Sequence, residues 1–432
     1  MVDLSVKMGD LVFKNPIITA SATPTHDPER CAKAAKAGSS AVILKTLFHK
    51  TAKTTYLFAR PRFKLLDWNP ILPEPRPGLL RPGEQLIVKE PKRFTLYSIE
   101  QSTVWDYTKY RWYIDETKKR VGEDCIVIAS IMGGDPEGWI EQCEIVNGSK
   151  ADAVELNFSC PHAAEVEKGL GVDVGAIPEA AEEIFKICRK NLSIPTVGVK
   201  LTAQAADLVA VAKVIERAGV DYITSINRLM GLMIDIDEAR PIEWGSYSGF
   251  GGPFMLPLTL RWIAKMREAG IKVPISATNG VWDWDDVIRC IMVGADTVQT
   301  CTAVMCKGYE EMTKWLKAIT EWMEQKGYES ISEIKGIALD KIIPVDKIER
   351  EVPIMVGGKS SKIAVVDEEK CKKHLRVYSC GWCERACLHD AIEVKEQYAV
   401  VDEETCEACG MCRELCPAEA VEIKLKEEVA LA

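Results

Sequence analysis

The sequence predicts an α/β chain: a (β/α)8 barrel over residues 1–327, a linker over 328–365 and a small α+β domain over 366–432. Three observations carry this architecture. A phrase recurs in which a small-residue turn, often with glycine, leads into a short β-branched run that ends on a polar residue. Eight such apolar runs precede Lys326, and convincing amphipathic stretches lie between several of them. The sixteen cysteines divide unevenly, eight scattered from Cys31 to Cys306 and eight crowded between Cys371 and Cys416.

Size and composition narrow the function classes. At 432 residues the chain exceeds what one hydrophobic core usually supports. The net charge of −9, with no basic block, argues against nucleic acid or an anionic membrane as the main partner. No apolar run approaches the length that spans a bilayer, and the N-terminus lacks the signal-peptide pattern, so a cytoplasmic protein is expected. In that compartment so many cysteines point to metal or redox chemistry rather than disulfides.

Taken in order, the strand runs begin at Pro16, Ala41, Ile126, Ala153, Thr196, Tyr222, Pro274 and Thr297. Ala37-Gly38, Asn147-Gly148, Ala218-Gly219 and Val293-Gly294 stand shortly before four of them, as helix C-caps before buried parallel strands do. Ala206 to Ile215 and Glu310 to Lys326 have the helical period. Strand–helix alternation repeated eight times means a closed barrel. An open doubly wound sheet is the alternative, but no Gly-x-Gly-x-x-Gly turn follows the first strand.

A barrel places its chemistry at the C-terminal ends of the strands. Ser21, Lys45, Asn157, Lys200, Asn227, Asn279 and Thr302 stand there. One polar side chain at a strand end is usually structural, whereas a ring of them favours a bound polar ligand. The stretch Asn157-Phe158-Ser159-Cys160-Pro161-His162 is the densest, with an amide, a hydroxyl, a thiol and an imidazole on one loop. Its thiol could be a proton donor, a nucleophile, a metal ligand or a small apolar filler. The last role is expected of Cys31, Cys125, Cys143, Cys188 and Cys290. The segment 51–113 breaks the rhythm with seven prolines, little helical period and the aromatics Trp68, Phe94, Tyr97 and Trp105. An ordered insertion over the barrel mouth and a subunit contact are equally open readings.

The tail is more specific. Cys406, Cys409, Cys412 and Cys416-Pro417 match the bacterial ferredoxin run C-x2-C-x2-C-x3-C-P at every position. Three closely spaced thiolates wrap one face of a [4Fe-4S] cube, and the fourth cysteine ligates the other cluster. Zinc is the alternative, but a three-plus-one count suits tetrahedral zinc poorly. The preceding copy, Cys371, Cys380, Cys383 and Cys387, carries an insertion after its first cysteine, so a three-iron cluster also remains open there. Pseudo-symmetry assigns Cys371, Cys380, Cys383 and Cys416 to one cluster, and Cys387, Cys406, Cys409 and Cys412 to the other. Strands at Lys362–Val366 and from Ala420 to Ile423 fit the same layout.

Clusters pass single electrons, whereas small organic substrates mostly exchange hydride. A flavin does both, so a barrel joined to two clusters suggests a flavin in the barrel. The loops after strands seven and eight, at Ala277 to Val281 and Gln299 to Ala303, suit its phosphate. With Ala20-Ser21-Ala22-Thr23-Pro24, Lys45-Thr46, Ile126 to Met132, Glu155 to His162 and Lys200-Leu201-Thr202, nearly the whole chain resembles the dihydropyrimidine dehydrogenase and dihydroorotate dehydrogenase superfamily, on the side of its bacterial ferredoxin-tailed pyrimidine enzymes. The resemblance implies FMN held by Ala20, Ser21, Lys45, Thr46, Asn157, Lys200, Asn227, Gly252, Asn279, Gly280, Cys301 and Thr302. It implies Cys160 as general acid/base, giving a proton to one carbon while flavin N5 gives hydride to its neighbour. The thiol form that this needs predominates near neutrality for an ordinary cysteine.

Departures from the family pattern concern the substrate. Ser98 stands two residues before Glu100 where the pyrimidine enzymes have asparagine, and Arg228 follows Asn227 where they have threonine. Ala163-Ala164-Glu165-Val166 replaces a glycine-rich loop, and Asn279 replaces a first glycine. With Ser98, Glu100, Asn157, Asn227 and Arg228 on the substrate side, an unsaturated carbonyl compound that is acidic and distinct from uracil is expected. Arg228 as a surface ion pair is the equal alternative. No nicotinamide fingerprint is visible, so a redox partner is expected, either a NAD(P)H-oxidising flavoprotein subunit or a small ferredoxin, in a homo- or hetero-oligomer. An electron-transfer subunit without substrate chemistry is the competing function; the proton donor argues against it. His162 receives no role.

Overall fold

The computed structural model describes residues 2–48, 60–66, 94–99, 103–160, 172–378 and 380–430. These residues form two compact units that divide after Ile342. In the first, eight strands each lead to a helix. They are β1 Ile17–Thr19 and α1 Pro28–Lys36, β2 Ala41–Ile43 and α2 Tyr107–Val121, β3 Ile126–Met132 and α3 Pro136–Asn147, β4 Ala153–Asn157 and α4 Pro178–Asn191. Then follow β5 Thr196–Lys200 and α5 Leu208–Arg217, β6 Tyr222–Ser225 and α6 Leu256–Glu268, β7 Ile275–Thr278 and α7 Trp284–Met292, β8 Thr297–Thr300 and α8 Glu311–Lys326. All strands pair in parallel, in the order β2-β1-β8-β7-β6-β5-β4-β3. Ala41 against Ile126 and Ile43 against Ile128 close the ring.

The strands are buried along their whole length, which is why they read as continuous apolar runs. Aspartates start several helices: Asp27, Asp135 and Asp207 each accept a backbone N–H from three residues on. Pro28 and Pro136 follow two of them in the first turn. Each such cap stabilises its helix by about 1 kcal/mol.

The barrel interior is layered. At the N-terminal ends of the strands Ile18, Ala41, Ile126, Ala153 and Tyr222 form an apolar cluster. The hairpin of Val6–Met8 with Leu11–Phe13 adds Met8 and Phe13 to it, so the bottom is plugged. One layer up the interior turns polar. Gln299 Nε2 on β8 bonds Thr224 Oγ1 on β6 at 3.0 Å and Ser276 Oγ on β7 at 3.1 Å, and Thr224 Oγ1 donates to Glu155 Oε2 on β4 at 2.7 Å. The bonds from β8 to β6 and from β6 to β4 each pass over an intervening strand, so they run through the lumen.

Part of the segment 51–113 is described. Phe63–Leu66 and Thr95–Ser98 pair antiparallel, and Thr95–Ser98 also pairs with Ser248–Gly251 from the connection between β6 and α6. Phe94 meets Trp282 edge-on at 4.8 Å, and Trp105 Nε1 donates to the carbonyl of His26 at 3.0 Å. These aromatics are thus fastened to the loops after β7 and β1. Trp68 lies outside the described residues. One expectation is corrected: α2 begins at Tyr107, inside the stretch marked by low helical period. Asp106 caps it, and Tyr110, Tyr113, Ile114 and Thr117 form its buried face. Two tyrosines and a threonine carried a helical spacing that a search for aliphatic residues passes over.

In the second unit Lys362–Val366 pairs antiparallel with Val421–Leu425, and Ile392–Val394 with Ala399–Val401. Helices Glu368–Val377, Trp382–Arg385 and Met411–Leu415 carry cysteines between the strands. Among the described residues no helix of the chain is long and apolar enough to cross a membrane.

Gly198 on β5 faces Tyr222, and a Cβ there would stand 2.1 Å from the phenol ring. Gly198→Ala is expected to cost about 1–3 kcal/mol by overpacking the lumen, measured as a lower chemical-denaturation midpoint of the barrel.

Candidate active site

At the C-terminal ends of the strands the polar side chains form one hydrogen-bonded arc. Ser21 Oγ, just past β1, donates to the Leu44 carbonyl at 2.7 Å and lies 3.2 Å from Thr46 Oγ1. Thr46 Oγ1 meets Ser130 Oγ at 2.9 Å and accepts from Asn157 Nδ2 at 3.1 Å. Asn157 Oδ1 accepts from Ser159 Oγ at 2.8 Å and from the Ser159 amide at 3.2 Å. Asn227 Nδ2 then donates to Ser159 Oγ at 3.1 Å, and Asn279 Nδ2 donates to the Asn227 carbonyl at 3.2 Å. The arc therefore runs from β1 through β2, β3, β4 and β6 to β7. Each buried polar group along it costs free energy unless paired, so the chain of bonds fixes every member at once.

Lys45 and Lys200 stand on the same rim with buried side chains. Cys160 is half-buried and packs against the barrel's apolar core. The loop that carries it leaves from Phe158, fully buried and edge-on to Trp139 at 5.5 Å, so Ser159 and Cys160 start from a fixed point. Ser98 ends its strand facing Arg228, whose guanidinium Nη1 donates to the Ser98 hydroxyl. Arg228 fits there because Gly249 has no side chain: a Cβ would lie 2.5 Å from Arg228 Nε. The structure thus places Arg228, partly buried, in a side-chain contact with Ser98 beside the arc. Ala20, Cys301 and Thr302 follow β1 and β8 and close the rim on that side.

Two glycines form a cradle. Gly280 has φ +91°, and a Cβ on it would stand 2.2 Å from the Leu256 amide nitrogen. Gly252 has φ +147°, with the Phe94 carbonyl oxygen 2.6 Å from where a Cβ would be. Asn279, at φ +79°, occupies the left-handed region that asparagine tolerates better than most residues. Glu100, Pro161 and His162 lie outside the described residues. Ser130 and Ser159 belong to the arc although neither was expected to be a site residue. Ser130 could have been found by register, since it lies beside Glu155 on the neighbouring strand.

In the second unit the cysteines surround two cavities. One, about 390 Å³ of atom-free space partly open to solvent, is lined by Cys371, Cys380, Cys383 and Cys416 together with His374 and Trp382. The other, about 360 Å³, is lined by Cys387, Cys406, Cys409 and Cys412 with Ala408 and Met411. The crossed grouping follows the pseudo-symmetry, and so do the hydrogen bonds to sulfur. Ala391 N–H donates to Cys387 Sγ at 3.2 Å, and Ala420 N–H donates to Cys416 Sγ at 3.3 Å, four residues on in each case. Among the described residues no three Cys, His, Asp or Glu side chains converge on one point as a mononuclear ion needs; these thiols stand apart around space for a larger group.

Comparison with known proteins agrees with both halves. The profile of the dihydroorotate dehydrogenase family matches residues 3–323. The chain belongs to the dihydroorotate dehydrogenase family. The profile of the 4Fe-4S binding domain matches residues 399–422. The catalytic subunit of dihydroorotate dehydrogenase B (NAD(+)) from Pyrococcus abyssi is 30% identical over 336 residues, 78% of this chain and 99% of the relative. The NAD-dependent dihydropyrimidine dehydrogenase subunit PreA of Escherichia coli K12 is 27% identical over 405 residues, 91% of this chain and 88% of the relative. As a ferredoxin-tailed member of the dihydroorotate dehydrogenase family, the protein is an FMN- and iron–sulfur-dependent oxidoreductase acting on a CH–CH bond. The donor set fits both groups: buried ammonium and amide donors beside a glycine cradle for a flavin phosphate and ring, and thiols around cavities for clusters.

The crossed ligation is open to a pairwise test. Cys387→Ala is expected to lower iron by about half. Added to Cys409→Ala it should remove no further iron, and added to Cys380→Ala it should remove nearly all, as read by iron and sulfide analysis under anaerobic conditions.

Proposed function

We propose that this protein reduces or oxidises a C–C bond conjugated to a carbonyl in a small substrate that carries a carboxylate. Cys160 exchanges the proton, and Arg228 holds the acid group. The observation that carries this reading is the hydrogen-bonded arc from Ser21 to Asn279, with Cys160 three residues beyond Asn157 and Arg228 adjacent to Asn227.

FMN, when bound, supplies the hydride chemistry and exchanges single electrons with the two [4Fe-4S] clusters. Ala20, Ser21, Lys45, Thr46, Asn157, Lys200, Asn227, Gly252, Asn279, Gly280, Cys301 and Thr302 would hold it. Lys45 and Lys200 supply positive charge, while Gly252, Gly280 and the start of the helix Thr302–Lys307 leave backbone room for the phosphate. Cys371, Cys380, Cys383 and Cys416 would hold one cluster, and Cys387, Cys406, Cys409 and Cys412 the other, all four ligands of each lining one cavity.

The chain's own residues then divide the work. Asn157 and Asn227 orient the substrate's carbonyl or ring nitrogens, because both amides are already fixed by Ser159. Ser98 holds Arg228, and the fork that remains can take a carboxylate in two parallel hydrogen bonds. Ser98 and Glu100 complete the substrate side. Cys160 Sγ keeps a proton for the carbon next to the one that exchanges hydride, and recovers it in the reverse direction. The relatives are named as subunits of NAD-linked enzymes. That supports a redox partner for this chain, a NAD(P)H-oxidising flavoprotein subunit or a small ferredoxin.

Two variants test the assignment. Cys160→Ala is expected to lower turnover by about 10²–10⁴-fold with flavin and iron contents unchanged; unchanged turnover would overturn the catalytic assignment of Cys160. Arg228→Leu is expected to cost about 10- to 100-fold in kcat/KM on carboxylate substrates and little on neutral ones. A reduced enzyme reoxidised by uracil and thymine as fast as by any acid tested would remove the case for an acidic substrate.

A further inference from the structure

One charged group in the barrel has no part in the chemistry above. Glu155 on β4 is completely buried in the lumen, one layer beneath the arc. It lies two residues before Asn157, so both side chains point inward from the same strand. Across the next strand Asn157 stands opposite Lys200, and Glu155 stands opposite Gly198. On the strand beyond, Thr224 stands opposite Lys200. The Glu155 carboxylate reaches past β5 to accept the Thr224 hydroxyl at 2.7 Å. Its Oε2 and Thr224 therefore bracket the base of Lys200 from β4 and β6. The absent side chain of Gly198 leaves the space that Tyr222, itself part of the apolar plug, fills.

The other carboxylate oxygen, Oε1, is buried without a hydrogen-bond partner among the described residues. A buried carboxylate left so poorly solvated is kept only beside a compensating charge. Burial pushes its pKa up, and the charge of Lys200 is the largest influence holding it down.

We infer that Glu155 is a positioning residue: as a buried counter-charge one layer beneath Lys200, it limits the positive charge felt by the flavin. This rests on the assignment of Lys200 to the FMN site. The argument has a definite sign. Removing the negative charge leaves Lys200 uncompensated, which favours the reduced, more anionic flavin over the oxidised one.

Reconstituted holoenzyme carrying Glu155→Gln keeps the side-chain volume and a partner for Thr224. Its flavin midpoint potential, read by anaerobic dye equilibration, is expected to rise by about 30 mV, a tenfold change in favour of the reduced form. Lys200→Met is expected to lower the potential and to weaken FMN binding to the apoprotein at least tenfold. An unchanged potential in Glu155→Gln, with Lys200→Met shifted, overturns the role of Glu155 alone. If Lys200→Met also changes neither potential nor FMN affinity, the site assignment itself falls. Should Glu155→Gln fail to fold, Thr224→Val takes its place. With the donor to the carboxylate removed, its negative charge is less offset and the potential should fall, opposite to Glu155→Gln, and no change overturns the inference.

Discussion

The pairing of β2 with β3 is the contact on which everything at the barrel mouth depends. Without Ala41–Ile43 set against Ile126–Ile128 the eight strands would be an open sheet with two edges. Closure leaves no edge and brings strands remote in sequence across one lumen from each other. Only then can Thr46, from the end of the second strand, accept a hydrogen bond from Asn157 at the end of the fourth. The same closure determines that inward side chains stack in levels. Polarity rises along the barrel axis, from Met8 and Phe13 through Glu155 and Gln299 to Asn157 and Lys200.

This ordering separates two tasks within one set of strands. The first residues of each strand supply the apolar burial that stabilises the ring, and the last supply the polar groups that meet a ligand. Five-residue strands such as β4 and β5 carry both, with Ala153 and Val154 leading to Asn157 in one and Val197 leading to Lys200 in the other. A register slip of one residue would turn both sets outward together, so stability and site geometry are not independent here.

Much of this was legible in the sequence, for physical reasons that differ by region. All eight strands could be read because a parallel strand buried on both faces must be continuously apolar. The strand-end positions then picked out Ser21, Asn157, Asn227 and Asn279, which the structure joins in one hydrogen-bonded arc. Cysteine spacing was legible because cluster geometry fixes how far apart thiolates can stand along a chain. Other features resisted. The α2 helix was hidden because Tyr110, Tyr113 and Thr117 bury a helical face without aliphatic residues. Ser130 gained importance only from a partner on another strand, which no local pattern records, and Ser159 was legible as the hydroxyl of its loop but not as the link between Asn157 and Asn227. Cys371 stood apart by sequence spacing, yet its helix, Glu368–Val377, brings it to the wall of the same cavity as Cys380 and Cys383.

The small core of the tail has a consequence for how the protein is made. Cys383 and Cys406 count among its few buried residues, and Cys371, Cys387, Cys412 and Cys416 pack around them. A unit of this size has little other apolar surface to bury, so with these cysteines as ligands the clusters act as scaffold as well as wire. Maturation of the tail then follows the rate at which iron and sulfide are delivered. Chains synthesised faster than that supply would carry a finished barrel and an unfinished tail exposed to proteolysis, which makes the cell's cluster-assembly capacity the ceiling on active enzyme.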